Sequence, residues 1–321
     1  RAPRRIPVTP EHLATAFRDG LARELLTGAR RARLSHDSTL RSYDATTYQR
    51  ISAGLSFRAV GRERLLFRHE NATRVRWEQG VGALVEVKGA RTKIPLADTE
   101  SARNEIDEEV NGELGSEISG VPYFPGQETL WAGSGLAEAQ VDEREIVHPL
   151  AEGAEAYYRY VSGDSMAYRL PDGKTIRLIE MRIQPREPKW NLVVGSFWFD
   201  AASYQLVRGA YRLAVPILIW QVAKEEDPDA DEDVPVWVKP MITPMRGKVS
   251  TITVEYGLYE GRFWLPRLQA AEAEGQMSFL RVPIRIEQRF DYSSVNGTEP
   301  MPTIPITPEM ARRDTLYSLD S

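Results

Sequence analysis

The chain has 321 residues, 42% hydrophobic and 27% charged, an ordinary balance for a folded protein that excludes wholesale disorder. Cysteine is absent, which excludes disulfides, thiolate metal sites and a cysteine nucleophile. The net charge of -5 conceals a segregation, since residues 1–95 carry +10 and residues 96–156 carry -13. These blocks are solvated faces, mutually attracting surfaces, or a basic face for anionic lipid headgroups.

The longest apolar run, Leu213 to Ala223, is interrupted by Pro216 and Gln221 and falls short of the roughly 20 residues a spanning helix needs. The chain begins at Arg1, so a processed or excerpted product is expected, one from which a signal peptide can have been removed.

Thr9-Pro10-Glu11 has the form of a helix start: a capping hydroxyl, a proline whose missing N–H has no partner there, and a carboxylate at the positive end of the dipole. Leu13, Phe17, Leu21 and Leu25 recur every four residues and predict an amphipathic helix that lays this stripe on a sheet. Gly28 is the expected stop, after which residues 29–33 either continue the helix or begin another.

From Tyr48 the period becomes two. Gln49, Ile51, Ala53, Leu55 and Phe57, then Leu65 and Phe67, Val75 and Trp77, and Val81 to Val87 predict strands of an antiparallel sheet with one buried face, the last two runs joined at Glu78-Gln79-Gly80. Residues 97–147 break the pattern, being acidic and rich in glycine; an exposed insertion is expected over Asp98 to Glu117. Two hairpins organise the centre of the chain. One turns at Pro171-Asp172-Gly173, the other at Ala201-Ala202-Ser203, giving four strands of one sheet between Tyr157 and Tyr211. Lys224 to Asp233 is a second acidic insertion. Its Asp227, Asp229 and Asp231 are spaced like the first ligands of a calcium loop, but Glu232 and Val238 stand where the loop needs glycine and a bidentate glutamate. The last block turns at Glu260-Gly261; in its final strand Val282, Ile284, Ile286, Phe290 and Tyr292 share a face with Gln288 among them. A Pro-rich tail follows Asn296-Gly297.

The expected organisation is a helical segment over 9–45, one curved antiparallel β domain over 46–295 with acidic insertions at about 98–145 and 224–248, and a linker-like tail over 296–321. The expected fold class is mainly β: a strongly curved sheet or incomplete barrel closed by the N-terminal helix.

Chemistry leaves few traces. His12, His36, His69 and His148 lack metal-ligand spacing, and Ser134 and Ser165 lack the glycine pattern of a nucleophile elbow. No phosphate loop or dinucleotide fingerprint follows a strand. The expectation is no catalytic residue, no metal and no cofactor. Basic strands carrying Tyr48, Phe67 and Trp77 suit base stacking, but a pI near 5.6 and the adjacent acidic block oppose nucleic acid as a partner.

Two hairpins carry a family resemblance. Gly195-Ser-Phe-Trp-Phe-Asp200 followed by Leu206-Val-Arg208 resembles a recurrent hairpin of outer-membrane lipoprotein-sorting (LolA/LolB-like) proteins, and Tyr259-Glu-Gly-Arg-Phe-Trp-Leu-Pro266 is similar to another. The resemblance covers the order of elements from Thr9 to Val295. It implies a bacterial half-barrel closed by helices, periplasmic or envelope-associated, whose concave side accepts acyl chains; related sheets occur in envelope proteins of unknown role. The acidic insertions depart from that compact pattern, and either can fill or cover the cavity. The implied function is non-enzymatic binding of a lipid, an acylated protein or another apolar partner; the alternative is a scaffold with a filled interior that docks on a membrane protein complex. The expected groove lining is Val75, Trp77, Val85, Phe197, Phe199, Val254, Tyr256, Ile284 and Ile286.

Overall fold

The computed structural model describes residues 4–57, 60–95, 141, 143–169, 173, 175–218, 245–277, 280–297 and 299. The acidic stretches 98–117 and 224–233, Ser134, most of the Pro171-Asp172-Gly173 turn and the tail from 300 lie outside them.

The N-terminal helix is two helices, not one. Thr9 caps α1 (Pro10–Thr15): its hydroxyl accepts from the His12 N–H, and His12 Nδ1 accepts from the Thr9 N–H, both at 3.2 Å. The chain then leaves the helix to pair with a strand, Arg18 N–H donating to the Tyr160 carbonyl at 3.0 Å and Tyr160 N–H to that of Ala16 at 2.7 Å. Asp19 starts α2 (Gly20–Thr39), its carboxylate accepting from the N–H groups of Ala22 at 2.8 Å and Ser162 at 3.0 Å. This break re-aims the apolar stripe. Leu13 and Leu21 are exposed, and the buried side of α2 is Ala22, Leu25, Leu26, Ala29 and Ala32. Gly28 does not end the helix.

Among the described residues eleven strands follow: β1 (Ser42–Phe57), β2 (Val60–Glu78), β3 (Gly82–Lys93), β4 (Tyr158–Arg169), β5 (Thr175–Pro185), β6 (Val193–Asp200), β7 (Leu206–Leu213), β8 (Ile217–Leu218), β9 (Met245–Tyr259), β10 (Phe263–Met277) and β11 (Leu280–Val295). They form one antiparallel sheet in the order β3-β2-β1-β11-β10-β9-β7-β6-β5-β4, with β8 beside β9, and the sheet does not close. The expected mainly-β class holds, including the four consecutive strands around the central hairpins. Turn chemistry fixes the hairpins where it was expected. At the β9–β10 turn Glu260 and Gly261 both have positive φ, 51° and 66°, which matches the right-handed twist of the strands they join.

Two buried clusters result. The larger joins α2, residues 141–157 and the inner side of β4–β7, β9 and β10; the smaller gathers Leu40, Tyr43, Val75, Trp77, Phe263, Leu265 and Phe290 at one end of β1, β2, β10 and β11. Residues 143–157 pack by backbone as well as side chain: Val147 N–H donates to the Asn191 carbonyl, and Asn191 Nδ2 to that of Glu143.

Candidate binding site on the concave face

The strand register aligns side chains across the whole sheet. One row runs through ten strands as Thr92, His69, Ile51, Ile286, Ala271, Ile252, Tyr211, Gly195, Ile183 and Tyr160. The next row on the same face, two residues along each strand, is Ala90, Asn71, Gln49, Gln288, Gln269, Val254, Gly209, Phe197, Met181 and Ser162. Directly paired residues point to one side of a sheet, so these twenty positions tile the inner surface. None is Asp, Glu, Lys or Arg. The intervening row on the other face is charged over its first four strands, as Arg91, Glu70, Arg50 and Glu287, and continues as Ala270, Thr253, Ala210, Ser196, Arg182 and Val161.

The inner surface has two zones. From β9 to β4 it is apolar and packs in the larger cluster with α2 and residues 146–157, His148 standing edge-on to Phe197. Phe197 faces Gly209 and Tyr211 faces Gly195, and the two rings stack with centroids 5.4 Å apart and planes at 12°. Each glycine leaves room for the ring opposite. From β2 to β10 the floor carries amides: Asn71, Gln49, Gln288 and Gln269 stand side by side on four adjacent strands, between 2 and 8% exposed, and Asn71 Nδ2 donates to Gln49 Oε1 at 3.0 Å. Beside them Thr47 and Thr73 share a buried hydroxyl contact, and buried His69 meets Thr92 at 3.0 Å.

The helix over the apolar zone is held by polar contacts. Arg30 grips Glu155 with two hydrogen bonds, at 2.7 and 3.1 Å, and also donates to the carbonyls of Leu150 and Ala151. Burial pushes the Glu155 carboxyl up, but the hydrogen bonds and charge of Arg30 outweigh it and hold the carboxyl below its ordinary value. Gln205 Nε2 donates to the Ala32 carbonyl, and Tyr204 donates to Glu24. Under the helix, Tyr158 and Tyr160 donate to the carbonyls of Val147 and Pro149 at 2.6 and 2.7 Å.

The nine expected lining residues do not gather in one place. Phe197, Phe199, Val254 and Tyr256 are buried in the larger cluster, Val75 and Trp77 in the smaller. Ile284 and Ile286 are half-buried on β11 and belong to neither cluster, and Val85 is exposed on β3. The amide row is absent from the expected lining although the period-two pattern sets both Gln49 and Gln288 on apolar faces; the four members meet only through register.

Among the described residues no group of three or more metal-binding side chains occurs. His148 is buried with Nδ1 accepting from the Leu150 N–H at 2.9 Å, and His12 is occupied in the α1 cap. Ser165 is exposed on β4 beside Arg177. On the charged face a hollow of about 720 Å³ opens around Tyr48, which is exposed over Ala72 and Gly89, with Arg50, Arg91 and Arg289 on its rim.

No family model and no curated protein matches the chain. Among solved structures it is similar to a LolA superfamily protein from Nitrosomonas europaea, at 8% identity over 88% of this chain and 94% of that one, with a TM-score of 0.22. A putative outer membrane lipoprotein-sorting protein domain from Vibrio parahaemolyticus matches at 11% identity over 87% and 95%, also at 0.22. The Pseudomonas aeruginosa MucA/MucB complex matches at 10% identity over 85% and 94%, again with a TM-score of 0.22.

Proposed function

We propose that this chain is a non-enzymatic binding protein of the bacterial cell envelope, working in the periplasm, that holds an amphiphile such as a lipid or an acylated protein against its concave face. The observation that carries the reading is the pair of ten-strand rows without a single ionic side chain. A surface of that extent, divided into an apolar zone and an amide zone, suits a ligand with both a hydrocarbon tail and a neutral hydrogen-bonding linkage. The tail would lie where α2 now lies, burying apolar area at about 25 cal/mol per Å². The linkage, an ester or amide, would meet the amides of Gln49, Asn71, Gln269 and Gln288. Entry requires α2 to lift, which releases the polar anchors of Arg30, Glu24 and Ala32 together with the apolar side of Ala22, Leu25, Leu26 and Ala29.

The protein purified from a bacterial envelope should carry lipid in native mass spectrometry, and the delipidated protein should take up a fluorescent fatty acid. Absence of both would overturn the reading. A second reading, a scaffold that docks on a membrane complex with its interior permanently filled, is favoured by one observation: both zones are almost closed to solvent in this structure. It predicts salt-sensitive co-purification with a membrane partner and no lipid uptake.

A further inference from the structure

β3 ends the strand order, and among the described residues nothing pairs with its outer edge. Ten of its twelve residues are exposed. Val85 and Val87 are 38 and 59% exposed on the inner face, and Val81 in the turn before them is 64% exposed. A long edge strand with bare valines on one face and unpaired backbone groups along its side is a template for another strand. Soluble proteins usually blunt such an edge with charges and bulges; here the charges Lys88, Arg91 and Lys93 and a bulge, where Val87 pairs with Thr73 and Gly89 with Ala72 so that Lys88 is the extra residue, blunt the far half and leave residues 82–87 regular.

The sequence of this edge is complementary to itself. In an antiparallel pair, directly opposed residues point to the same face, so a two-fold axis must pass through a residue. With the axis at Val85, Val85 meets Val85 of the other copy, Ala83 meets Val87, and Leu84 meets Glu86. All three inner-face apolar residues before the bulge are then covered, and no like charges are opposed. Moving the axis to Glu86 sets two glutamates against each other, which destabilises a strand pair. An axis at Val87 opposes Val85 to Gly89, which the bulge has turned to the outer face.

We propose that β3 is a self-association edge at which two copies of this chain join antiparallel about Val85, extending the sheet across both. A pairing confined to the residues before the bulge buries less than the roughly 1,000 Å² of a stable interface, so the dimer is weak and concentration-dependent.

The chain contains no cysteine, which makes the register directly readable. Val85→Cys in the full chain should give a covalent dimer under mild oxidation, because Cβ atoms of directly opposed residues stand about 4.5–5.5 Å apart, close to disulfide reach. Val87→Cys alone should not, since its two copies lie four residues apart along the strands. A mixture of Val87→Cys with Ala83→Cys should cross-link. Sedimentation equilibrium of the unmodified chain should show a dimer growing with concentration, abolished by Val85→Lys with the unfolding midpoint unchanged. A monomer at every concentration, a Val85→Lys dimer, or cross-linking of Val87→Cys to itself as fast as Val85→Cys overturns the proposal.

Discussion

Gly28 of α2 lies flat against the ring of Tyr204, so close that a Cβ at position 28 would stand 2.5 Å from Tyr204 Cγ and Cδ1. Tyr204 is itself in the left-handed region at φ 58° after the β6–β7 turn, and its hydroxyl donates to Glu24 one turn earlier on the same helix. The ring is thus a rest on which the helix sits. Intrinsic propensity alone would make Gly28→Ala stabilising by about 1 kcal/mol in a helix interior. Because the nearest ring atom is Cγ, rotation about the ring axis gives no relief, and we expect Gly28→Ala to be destabilising by about 1–3 kcal/mol. Urea denaturation should show this sign, and Tyr204→Ala in the same chain should remove most of the penalty. A more stable Gly28→Ala would mean the helix does not rest on that ring.

The Arg30–Glu155 pair is the second anchor of α2. The side chains are 26 and 10% exposed, so removing one partner strands a largely desolvated charge. Arg30→Ala should cost about 3 kcal/mol and Glu155→Gln less, because the amide still accepts from the guanidinium. If the concave face admits an amphiphile by lifting α2, Arg30→Ala should also speed uptake of a fluorescent fatty acid; unchanged uptake with the expected loss of stability would separate the anchor from the gate.

Acid should act through the same pair. The folded-state Glu155 carboxyl is held below its ordinary value of 4.5. Its contribution to stability is therefore present above the unfolded value and lost as pH falls through the folded one. Unfolding free energy should decline on acidification below about 4.5, and Glu155→Gln should flatten that part of the profile. A profile with the same slope in both proteins would assign the acid sensitivity elsewhere.

Much of the β architecture was legible because its signals are local. Gly80, Gly173 and Gly261 mark turns that only positive φ can make, and period-two runs on either side name the strands. The break between α1 and α2 was not legible. Leu13, Phe17, Leu21 and Leu25 satisfy a helical period through residues 16–19, and what stops the helix is a backbone exchange with Tyr160, some 140 residues away. Gly28 was misread for a related reason: a glycine at a helix end and one under an aromatic ring look alike in sequence. The amide row lies at the far limit, since Gln49, Asn71, Gln269 and Gln288 become neighbours only when β11 returns to β1.

Alkali should act through the buried tyrosines at the start of β4. Burial raises the Tyr157 hydroxyl to about 12, with Glu143 adding to the rise. Tyr158 and Tyr160 are raised further, in both cases chiefly by burial. A group whose folded value lies above its unfolded value near 10 stabilises the fold below that pH, and the contribution is lost as pH climbs toward the folded value. Stability should therefore fall steeply above pH about 10. Ultraviolet titration of the chain's 13 tyrosines should show a late group that ionises only with unfolding, and Tyr158→Phe should shrink it. Tyrosines that all ionise together in the folded protein would place these rings in contact with solvent.

Gly195 offers the sharpest test of the sheet itself. A Cβ there would stand 2.3 Å from the Ala210 carbonyl oxygen and 2.5 Å from Tyr211 Cα, both backbone atoms of the adjacent strand. Neither can turn aside, so β6 and β7 would have to separate where the Phe197–Tyr211 stack joins them. Gly195→Ala should cost more than about 3 kcal/mol, at the upper end of overpacking penalties, and lower the yield of folded protein. Gly275→Ala is the matched control: on β10 the nearest atoms to its Cβ are Val282 Cβ and the Val282 carbonyl oxygen at 3.8 Å, ordinary contact, and the change should be close to neutral. Equal effects at the two positions would mean that the loss reflects glycine in strands generally and not the close approach at β6 and β7.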